Sequence, residues 1–461
     1  MRDLVVIGGG PGGYVAAIRA AQLGMNVALV EKDEVGGTCL NRGCIPTKAY
    51  FQNAKAVWTI KKAEDFNIEV GSFSFNMQKA KERKDSIVRN LVSGVKQLLE
   101  ANKVELIKGE ASLSSSDTVI VNDEEIKAKN ILIATGSVPA RLNIEGADLE
   151  GVITSDEALE LTEIPSRFTI IGGGVIGLEF ACIFSAFGSK VTVIEYMPNI
   201  LPTLDKEISK RTGVFLKKQN IDVYTNAAVT KIEKEDKNLL VYVQGKKGDI
   251  IIESDMVLMS TGRKPCTEGL NLDKVGIETE RDFIKVDENY QTSVKGIYAI
   301  GDVIGGQMLA HKASEEGIVA VEKMVGINAS VHYHAVPGCI FTFPEIATVG
   351  ISEEEAAAQG ISYKVGKFQF AANGKAMTMG EAEGLVKVIA DENDVIIGLH
   401  IIGPHASDLI LEGTMMVKNR MKVKEVIGTI HPHPTLGEAI MEAVLDINGE
   451  AIHLAPRKSK K

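Results

Sequence analysis

The sequence predicts an α/β fold in which one β-turn-α-β unit occurs twice and a segment without that unit follows. The first unit begins with an apolar run at residues 4–7, and the second with a run at residues 168–171. Each run leads into the glycine spacing G-x-G-x-x-G, a helical pattern and a second β-prone run that ends in glutamate. The first glycine and that glutamate are 23 residues apart in both units, from 8 to 31 and from 172 to 195. The residues concerned are Gly8, Gly10, Gly13 and Glu31, then Gly172, Gly174, Gly177 and Glu195.

Glycines in this spacing, between a strand and a helix, are typical of a dinucleotide-binding turn. They permit a tight turn and bring backbone N–H groups to a pyrophosphate at the helix N-terminus. The glutamate accepts hydrogen bonds from the adenosine ribose. Two glycine-rich turns without a ligand are the alternative, but two copies at identical spacing argue against it. The sequence therefore predicts two Rossmann-like dinucleotide-binding domains.

The other segments predict how these domains are connected. Alternating apolar and polar residues at 104–129 predict short antiparallel strands, and residues 131–136 and 256–262 predict strands returning to the first and second sheets. A further strand at 297–302 ends in Gly-Asp. The chain after about residue 337 carries no third unit and predicts a separate C-terminal α+β domain. The expected boundaries are 1–145 and 268–336 for the first nucleotide-binding domain, 146–267 for the second, and 337–461 for the C-terminal domain.

Composition excludes several classes of protein. The 461 residues are 45% apolar and 24% charged, as in ordinary globular proteins rather than disordered or fibrous ones. A net charge of −10 argues against nucleic acid or a membrane surface as a partner. The run at residues 4–7 is too short for a signal peptide, so we expect a cytoplasmic protein. The odd number of cysteines also argues against a secreted disulfide framework; they are Cys39, Cys44, Cys182, Cys266 and Cys339.

Cys39 and Cys44 follow the glutamate of the first unit, so the fold would place them near the first nucleotide. Pro46 suits the first turn of a helix, and Lys48 lies four residues after Cys44 on the same face. A helix N-terminus and an ammonium group both favour a thiolate, so we expect a lowered pKa for Cys44. A zinc site would need two more ligands, and a buried structural pair is the other alternative. The arrangement favours a redox-active disulfide.

His433 and Glu438 form a second candidate site. Apolar residues between 436 and 447 follow helical spacing, which predicts a helix with Pro434 in its first turn. His433 then lies just before the helix, with Glu438 close enough to orient its ring and stabilise its charge. A structural histidine and a general acid or base both remain open at this point.

Further motifs accompany the two glycine motifs: GTCLN at 37–41, GCIPTK at 43–48, Gly301-Asp302, MLAHKA at 308–313 and HPT at 433–435. Together these motifs resemble those of the pyridine nucleotide–disulfide oxidoreductases. The resemblance covers essentially the whole chain, and its cysteine motif is highly specific. Within the family it is greatest for the branch that acts on lipoamide.

The resemblance implies two cofactors, FAD in the first nucleotide-binding domain and NAD in the second. Asp302 would bind the ribityl chain of FAD, and the backbone of residues 309–311 would lie by the pyrimidine edge of the flavin. The implied FAD contacts are Gly8, Gly10, Gly13, Glu31, Lys48, Gly136, Asp302, Leu309, Ala310 and His311. The implied NAD contacts are Gly172, Gly174, Gly177, Glu195 and Gly262.

The resemblance also implies the roles of the side chains near the flavin. Cys44, nearest the flavin, would be the charge-transfer thiolate, and Cys39 the interchange thiol that reacts with substrate. Lys48 would pair with Glu179 beside flavin N5. No metal is implied.

The remaining catalytic pair would come from the other subunit of a homodimer built largely from residues after about 337. There His433, held by Glu438, would be the acid/base. The activity implied is oxidation of protein-bound dihydrolipoamide to lipoamide with NAD as hydride acceptor. Because the chain begins at the first strand, the lipoyl group is expected from a partner, either an acyltransferase or a glycine cleavage carrier protein.

Other members of the family fit less well. A mercuric reductase would need a C-terminal cysteine pair, and a glutathione-type reductase would need cations for the 2′-phosphate of NADP, whereas residues 196–204 contain no Arg or Lys. A redox-sensing flavoprotein without turnover is the alternative from a different class. Two positions depart from the family: Pro432 stands where alanine is common, and Cys266 where asparagine is frequent, which puts a minor flavin contact in doubt.

Overall fold

The N-terminal unit builds the first parallel sheet. The structure, a computed structural model, describes residues 1–246 and 248–455. β1 (Arg2–Ile7) lies between β2 (Val27–Glu31) and β6 (Glu124–Ile133) and is parallel to both. Leu4 and Val6 of β1 pack on the helical side of the sheet, and alternate residues face the other core. The other elements here are α1 (Pro11–Gln22), α2 (Gly37–Arg42), α3 (Cys44–Lys61), α4 (Met77–Ala101), β3 (Glu105–Lys108), β4 (Ala111–Ser115) and β5 (Thr118–Val121).

The first and third glycines of each motif are required by the protein's own packing. Gly8 and Gly172 have φ values of +102° and +112°, which disfavour any other residue. A Cβ on Gly13 would lie 1.8 Å from the carbonyl oxygen of Gly8, and one on Gly177 would lie 2.0 Å from that of Gly172. Strand, turn and helix therefore meet more closely than a side chain allows.

The second unit builds a second parallel sheet. Its elements are β7 (Ser137–Pro139), β8 (Val152–Ile153), α5 (Ser155–Ala158), β9 (Arg167–Ile171), α6 (Val175–Phe187), β10 (Lys190–Ile194), α7 (Lys206–Lys218), β11 (Asp222–Tyr224), β12 (Ala227–Glu235), β13 (Asn238–Gly245), β14 (Gly248–Ser254), β15 (Met256–Met259) and β16 (Arg263–Pro265). The parallel strands lie in the order β11-β10-β9-β15-β8, and β12, β13 and β14 form a separate antiparallel sheet. β7 and β16 pair antiparallel, so the chain leaves and re-enters the first half at one place.

The chain then returns to the first sheet. The elements are α8 (Leu272–Val275), β17 (Thr279–Glu280), β18 (Phe283–Ile284), β19 (Ile297–Ala299) and α9 (Ala310–Met324). β19 pairs parallel with β6, and α9 packs against α1. A Cβ on Gly317 of α9 would lie 2.5 Å from the carbonyl oxygen of Gly12 in α1, so the two helices approach closely. The second unit is thus inserted between two strands of the first sheet.

The C-terminal region is an antiparallel sheet covered by helices. Its elements are β20 (Gly338–Ile340), β21 (Glu345–Gly350), α10 (Glu353–Ala358), β22 (Tyr363–Gln369), α11 (Gly374–Thr378), β23 (Leu385–Asp391), β24 (Ile396–Gly403), α12 (Ala406–Lys418), α13 (Val423–Ile427) and α14 (Glu438–Asp446). The strand order is β20-β21-β24-β23-β22, and Ile440 and Val444 of α14 pack in its core. The predicted fold class, two Rossmann-like domains and an α+β domain, is confirmed, whereas the domain boundaries stay predictions.

Several details of the secondary structure differ from expectation. The strands predicted at 131–136 and 256–262 end at Ile133 and Met259. β3, predicted to be antiparallel, pairs parallel with β2, because α4 provides the crossover between them. The strand predicted at 297–302 ends at Ala299, and a 3₁₀ turn follows at Gly301–Ile304. The helix predicted to have Pro434 in its first turn begins at Glu438.

No helix among residues 1–246 and 248–455 is long and apolar enough to cross a membrane. The 25-residue α4 illustrates why length alone is insufficient. Its buried face includes Val92, Val95 and Leu99, but Lys, Arg, Asp and Glu side chains recur along the rest of the helix.

Candidate active site

The second glycine of each motif faces open space instead of protein. The atom nearest a Cβ built on Gly10 would be the Cα of Gly37, at 3.9 Å, and a Cβ on Gly174 would meet no described atom within 4 Å. Their φ values of −68° and −80° suit any residue, so the backbone does not require glycine either. Each glycine caps a helix whose first N–H groups lack intrahelical partners. The space beside both helix ends therefore fits the pyrophosphate of a dinucleotide.

The glutamate that ends each unit is hydrogen-bonded to the glycine turn. The Gly9 N–H donates to Oε2 of Glu31, and the Gly173 N–H donates to Oε2 of Glu195, both at 2.6 Å. Oε1 of each glutamate accepts the N–H of the residue two positions later, Asp33 at 2.7 Å and Met197 at 2.6 Å. Burial raises the pKa of Glu31, although nearby cations such as Lys108 oppose this. Both carboxylates thus lie beside the turn that would hold a nucleotide.

A buried hydroxyl beside the first glycine turn has no hydrogen-bond partner in the part of the chain that the structure describes. It is Oγ1 of Thr135, the residue before Gly136, which has a φ of +71°. Thr135 lines a pocket of about 70 Å³ together with Gly8, Glu31 and Cys266. An unpaired buried hydroxyl costs about 1–3 kcal/mol, and a polar ligand would satisfy it. The Thr135 hydroxyl and the Glu31 carboxylate fit the adenosine end of FAD, and Cys266 also lines this pocket.

Cys39 lies on the short helix α2, and Cys44 is the first residue of the next helix, α3. A Cβ on Gly43, between them, would lie 2.8 Å from the Thr38 carbonyl oxygen, which keeps the two segments close. Hydrogen bonding with the Cys39 thiol, together with the charge of Lys48, lowers the pKa of Cys44 to about 7. The same bond, with burial, raises the pKa of Cys39.

The lowered pKa predicted for Cys44 is confirmed in direction, but its largest cause is different. The sequence predicts this shift from the helix N-terminus and Lys48, whereas hydrogen bonding with Cys39 contributes most to it. Cys44 is also the exposed member of the pair, and Cys39 is half-buried. Cys44 therefore forms a thiolate more readily than Cys39.

Lys48 and Glu179 form an ion pair where three parts of the chain meet. Nζ of Lys48 on α3 lies 2.9 and 2.8 Å from the two carboxylate oxygens of Glu179 on α6. The Phe341 N–H, just after β20, donates to Oε1 of Glu179 at 3.0 Å. Nζ of Lys48 is 4.6 Å from the centre of the Phe341 ring. The structure brings Lys48 and Glu179 together as predicted, and their place beside a flavin stays a prediction.

His433 and Glu438 lie next to each other at the start of α14. Nδ1 of His433 is 2.9 Å from Oε1 of Glu438, and the Thr435 N–H donates to Oε2 at 2.8 Å. Burial opposes ionisation of Glu438, but these two hydrogen bonds outweigh it, so the pKa of Glu438 is lowered. The His433 side chain is 78% exposed in the single chain. The arrangement leaves Nε2 as the ring atom for proton transfer.

Asp302 lies in the turn after β19. Its Oδ2 accepts a hydrogen bond from Oγ of Ser137 at 2.5 Å, and Nε of Arg263 donates to the same hydroxyl at 2.7 Å. Residues 309–311 stand at the N-terminus of α9, where the first backbone N–H groups lack intrahelical partners. Nε2 of His311 is 2.8 Å from the Pro337 carbonyl oxygen. These positions suit hydroxyl and carbonyl groups of a flavin.

Comparison with known proteins agrees with this geometry. Residues 2–317 match the family model described as pyridine nucleotide-disulphide oxidoreductase, and residues 336–444 match the dimerisation domain of the same family. The chain belongs to the pyridine nucleotide-disulphide oxidoreductases. It is therefore a flavin- and pyridine-nucleotide-dependent enzyme with the dimerisation domain of that family.

Relatives of this oxidoreductase extend over its whole length. It is 44% identical to dihydrolipoyl dehydrogenase of Bacillus subtilis, over 98% of this chain and 99% of the relative. It is also 44% identical to dihydrolipoyl dehydrogenase of Thermus scotoductus, over 99% of each. Among solved structures, LpdA of Mycobacterium tuberculosis superposes with a TM-score of 0.88 at 26% identity, over 96% of this chain and 98% of that one.

Sequence analysis missed several residues at this oxidoreductase's site. Ser137 and Arg263 follow Gly136 and Gly262 directly and meet because β7 pairs with β16, a contact that neither segment signals alone. Gly262 itself has a φ of +134° and open space around it. Phe341 contributes a backbone N–H, which no side-chain pattern reveals. The sequence offers one signal for Ser137 and Arg263: each follows a glycine, Gly136 or Gly262, at the end of the corresponding returning strand segment of its unit.

Proposed function

We propose that this chain is a dihydrolipoyl dehydrogenase, which oxidises protein-bound dihydrolipoamide to lipoamide and passes the electrons to NAD. The observation that carries the proposal is the Cys39–Cys44 pair, in which Cys44 has its pKa lowered to about 7. Cys44 lies one helical turn before Lys48, which forms an ion pair with Glu179. Over nearly its full length the chain is also similar to two bacterial dihydrolipoyl dehydrogenases.

The thiols carry out the exchange with substrate. One thiol of the dihydrolipoyl group gives its proton to Nε2 of His433 and attacks Sγ of Cys39 in the Cys39–Cys44 disulfide. The disulfide breaks, and Cys44 leaves as a thiolate, which its lowered pKa favours. The second dihydrolipoyl thiol then displaces Cys39 and closes the lipoyl disulfide. One of the two substrate protons ends on Cys39 and the other on His433.

The chain holds two cofactors around this pair. FAD, when bound, relays two electrons from the dithiol pair to NAD as a hydride. Gly10 and the first turn of α1 would hold its pyrophosphate, Glu31 its adenosine ribose, and Asp302 its ribityl hydroxyls. Lys48, fixed by Glu179, keeps a positive charge near the Cys44 thiolate.

The acid/base comes from the second subunit of a homodimer. His433 is exposed in the single chain and lies within the segment that matches the family's dimerisation domain. Glu438 accepts from Nδ1, which leaves Nε2 available for proton transfer across the interface. Each site then combines Cys39 of one subunit with His433 of the other, as an isologous dimer allows.

The partners are a second copy of the chain and a lipoyl-bearing protein, either an acyltransferase or a glycine cleavage carrier, in the cytoplasm. A steady-state assay that crosses NAD or NADP with dihydrolipoamide, glutathione or reduced coenzyme A tests the activity. We expect turnover with dihydrolipoamide and NAD. Faster turnover of glutathione or coenzyme A thiols, or a spectrum that responds to dihydrolipoamide without turnover, would contradict the proposal in favour of another reductase or a redox sensor.

Mixing two inactive variants tests the shared site. Cys39→Ser and His433→Ala subunits are combined under conditions that allow exchange, and mixed dimers are quantified by native mass spectrometry. With His433 acting across the interface, each mixed dimer has one intact site, so a random mixture should recover about a quarter of the wild-type activity. Demonstrated exchange without recovery would place the acid/base in its own subunit.

A further inference from the structure

A buried ion pair on α9 anchors both ends of the turn that carries Asp302. The side chains of Lys312 and Glu316 are 3% and 1% exposed, and Nζ lies 3.0 Å from Oε1. The Gly301 N–H donates to Oε2 of Glu316 at 2.8 Å, and Nζ of Lys312 donates to the Gly305 carbonyl oxygen at 3.2 Å. The first residue of the turn, Gly301, and the residue that follows the turn, Gly305, are therefore bonded to the same helix.

The turn requires such anchors because its backbone is glycine-rich. Gly301, Gly305 and Gly306 have φ values of +75°, +80° and +72°, and glycine restricts the backbone least. A buried ion pair gives little net stability compared with apolar side chains of similar size, so packing alone does not account for charges at this position. Here the polar atoms of the pair form hydrogen bonds with backbone groups at the two ends of the turn.

Two tyrosines extend the network. The Tyr333 hydroxyl donates to Oε1 of Glu316 at 2.7 Å, and the Tyr290 hydroxyl is 2.9 Å from that of Tyr333. On the opposite side of the turn, Ser137 donates to the Asp302 carboxylate. The backbone on both sides of Asp302, at Gly301 and Gly305, is thus bonded to α9, and the Asp302 side chain is bonded to Ser137 of β7.

We propose that the Lys312–Glu316 pair is a positioning device that sets the backbone around Asp302 for FAD binding. The inference rests on the proposed assignment of Asp302 to FAD. Its essential element is the acceptor that residue 316 offers to the Gly301 N–H. The charges of the pair keep that acceptor in place, with Tyr333 as the third support.

Two double variants separate the acceptor from the charge. Lys312→Met with Glu316→Gln removes both charges and retains an oxygen that can accept from Gly301. Lys312→Met with Glu316→Leu removes the same charges and that oxygen too, leaving a buried N–H unpaired. We expect the leucine double variant to bind FAD about tenfold more weakly than the glutamine one. The measurement is flavin fluorescence titration of the FAD-free proteins, with their unfolding temperatures as the control for stability.

The outcomes distinguish the inference from the function on which it rests. Equal FAD affinity of the two double variants, with a wild-type protein that binds FAD, would overturn the positioning role alone. A wild-type protein that binds no FAD would overturn the proposed function as well. If the leucine double variant does not fold, Tyr333→Phe keeps both charges and should bind FAD about threefold more weakly. Wild-type affinity in that variant would then overturn the inference.

Discussion

The two nucleotide-binding units share one device and differ in what surrounds it. In both, the first glycine has a positive φ, the third lies against the carbonyl of the first, and the second faces open space. In both, the terminal glutamate accepts the N–H of the glycine turn at 2.6 Å. The glycine spacing therefore fixes the binding turn regardless of its position in the chain.

The helices behind the two turns pack differently. α1 buries small residues such as Ala16 and Ala17 and approaches α9 closely at Gly12. α6 buries large ones, including Phe180 and Phe184, in an aromatic core that extends to α3. Because α6 contacts α3, the Glu179 that it carries reaches Lys48. The second unit thus supplies a charge to the thiol site as well as a nucleotide turn.

The segments after the two glutamates differ most in chemistry. After Glu31 the chain forms α2 and α3 with the two cysteines, whereas residues 196–204 after Glu195 contain no thiol. Under the proposed function, we expect disulfide exchange at the first unit and pyridine nucleotide binding at the second. Variants that affect one unit and spare the other test this division.

The largest effect is expected from the cysteines. Cys39→Ser and Cys44→Ser should each lower dihydrolipoamide oxidation by at least about a thousandfold, because neither variant can form the disulfide. Electron transfer from NADH to an artificial acceptor, which needs only the nucleotide turns, should be largely unchanged. In the reduced state, Cys39→Ser should retain the long-wavelength absorbance of a thiolate beside the flavin, and Cys44→Ser should lose it. The opposite assignment of that absorbance would reverse the roles of the two thiols.

The glycines give a matched test of both units. Gly10→Ala should fold and bind FAD at least about tenfold more weakly, and Gly174→Ala should do the same for NADH, because each methyl group enters only the ligand space. Gly13→Ala and Gly177→Ala are the controls, since their methyl groups meet a backbone carbonyl and should prevent folding. Fluorescence titration and thermal unfolding measure both. Unchanged ligand affinity in Gly10→Ala or Gly174→Ala would show that the open space does not hold the pyrophosphate.

What the sequence predicts well is local, and what it misses depends on tertiary contacts. The glycine turns and the cysteine helix are set by neighbouring residues, so spacing alone predicts them. The Ser137–Asp302 hydrogen bond joins residues 165 positions apart, and no local pattern encodes it. The sequence predicts a start for α14 that is too early. Leu436 fits the helical spacing and packs in the C-terminal core, but it lies in the turn before the helix.

Lys48→Met tests the charge that the thiol site receives from its surroundings. Lys48 lowers the pKa of Cys44 and Glu179 raises it, so removing the lysine leaves the opposing carboxylate uncompensated. The pKa of Cys44 should rise from about 7 by about one unit or more. The midpoint for alkylation of Cys44 in the reduced protein, followed by peptide mass spectrometry, should shift to higher pH accordingly. Lys55→Met, on the same helix two turns further on, is the control and should leave that midpoint in place.

The smallest effect is expected at the glutamate of the second unit. Glu195 should accept from the ribose 2′-OH of NAD and repel the 2′-phosphate of NADP. Because its oxygens also accept backbone N–H groups of the turn, Glu195→Gln is a better probe than removal of the side chain. The glutamine retains an acceptor and loses the charge, so the preference for NAD in kcat/KM should fall about tenfold, mainly through a lower KM for NADP. Glu31→Gln, the equivalent change in the first unit, should weaken FAD binding and leave the NAD preference intact. An unchanged preference in Glu195→Gln would mean that the two glutamates, alike in geometry, do not share the ribose-binding role.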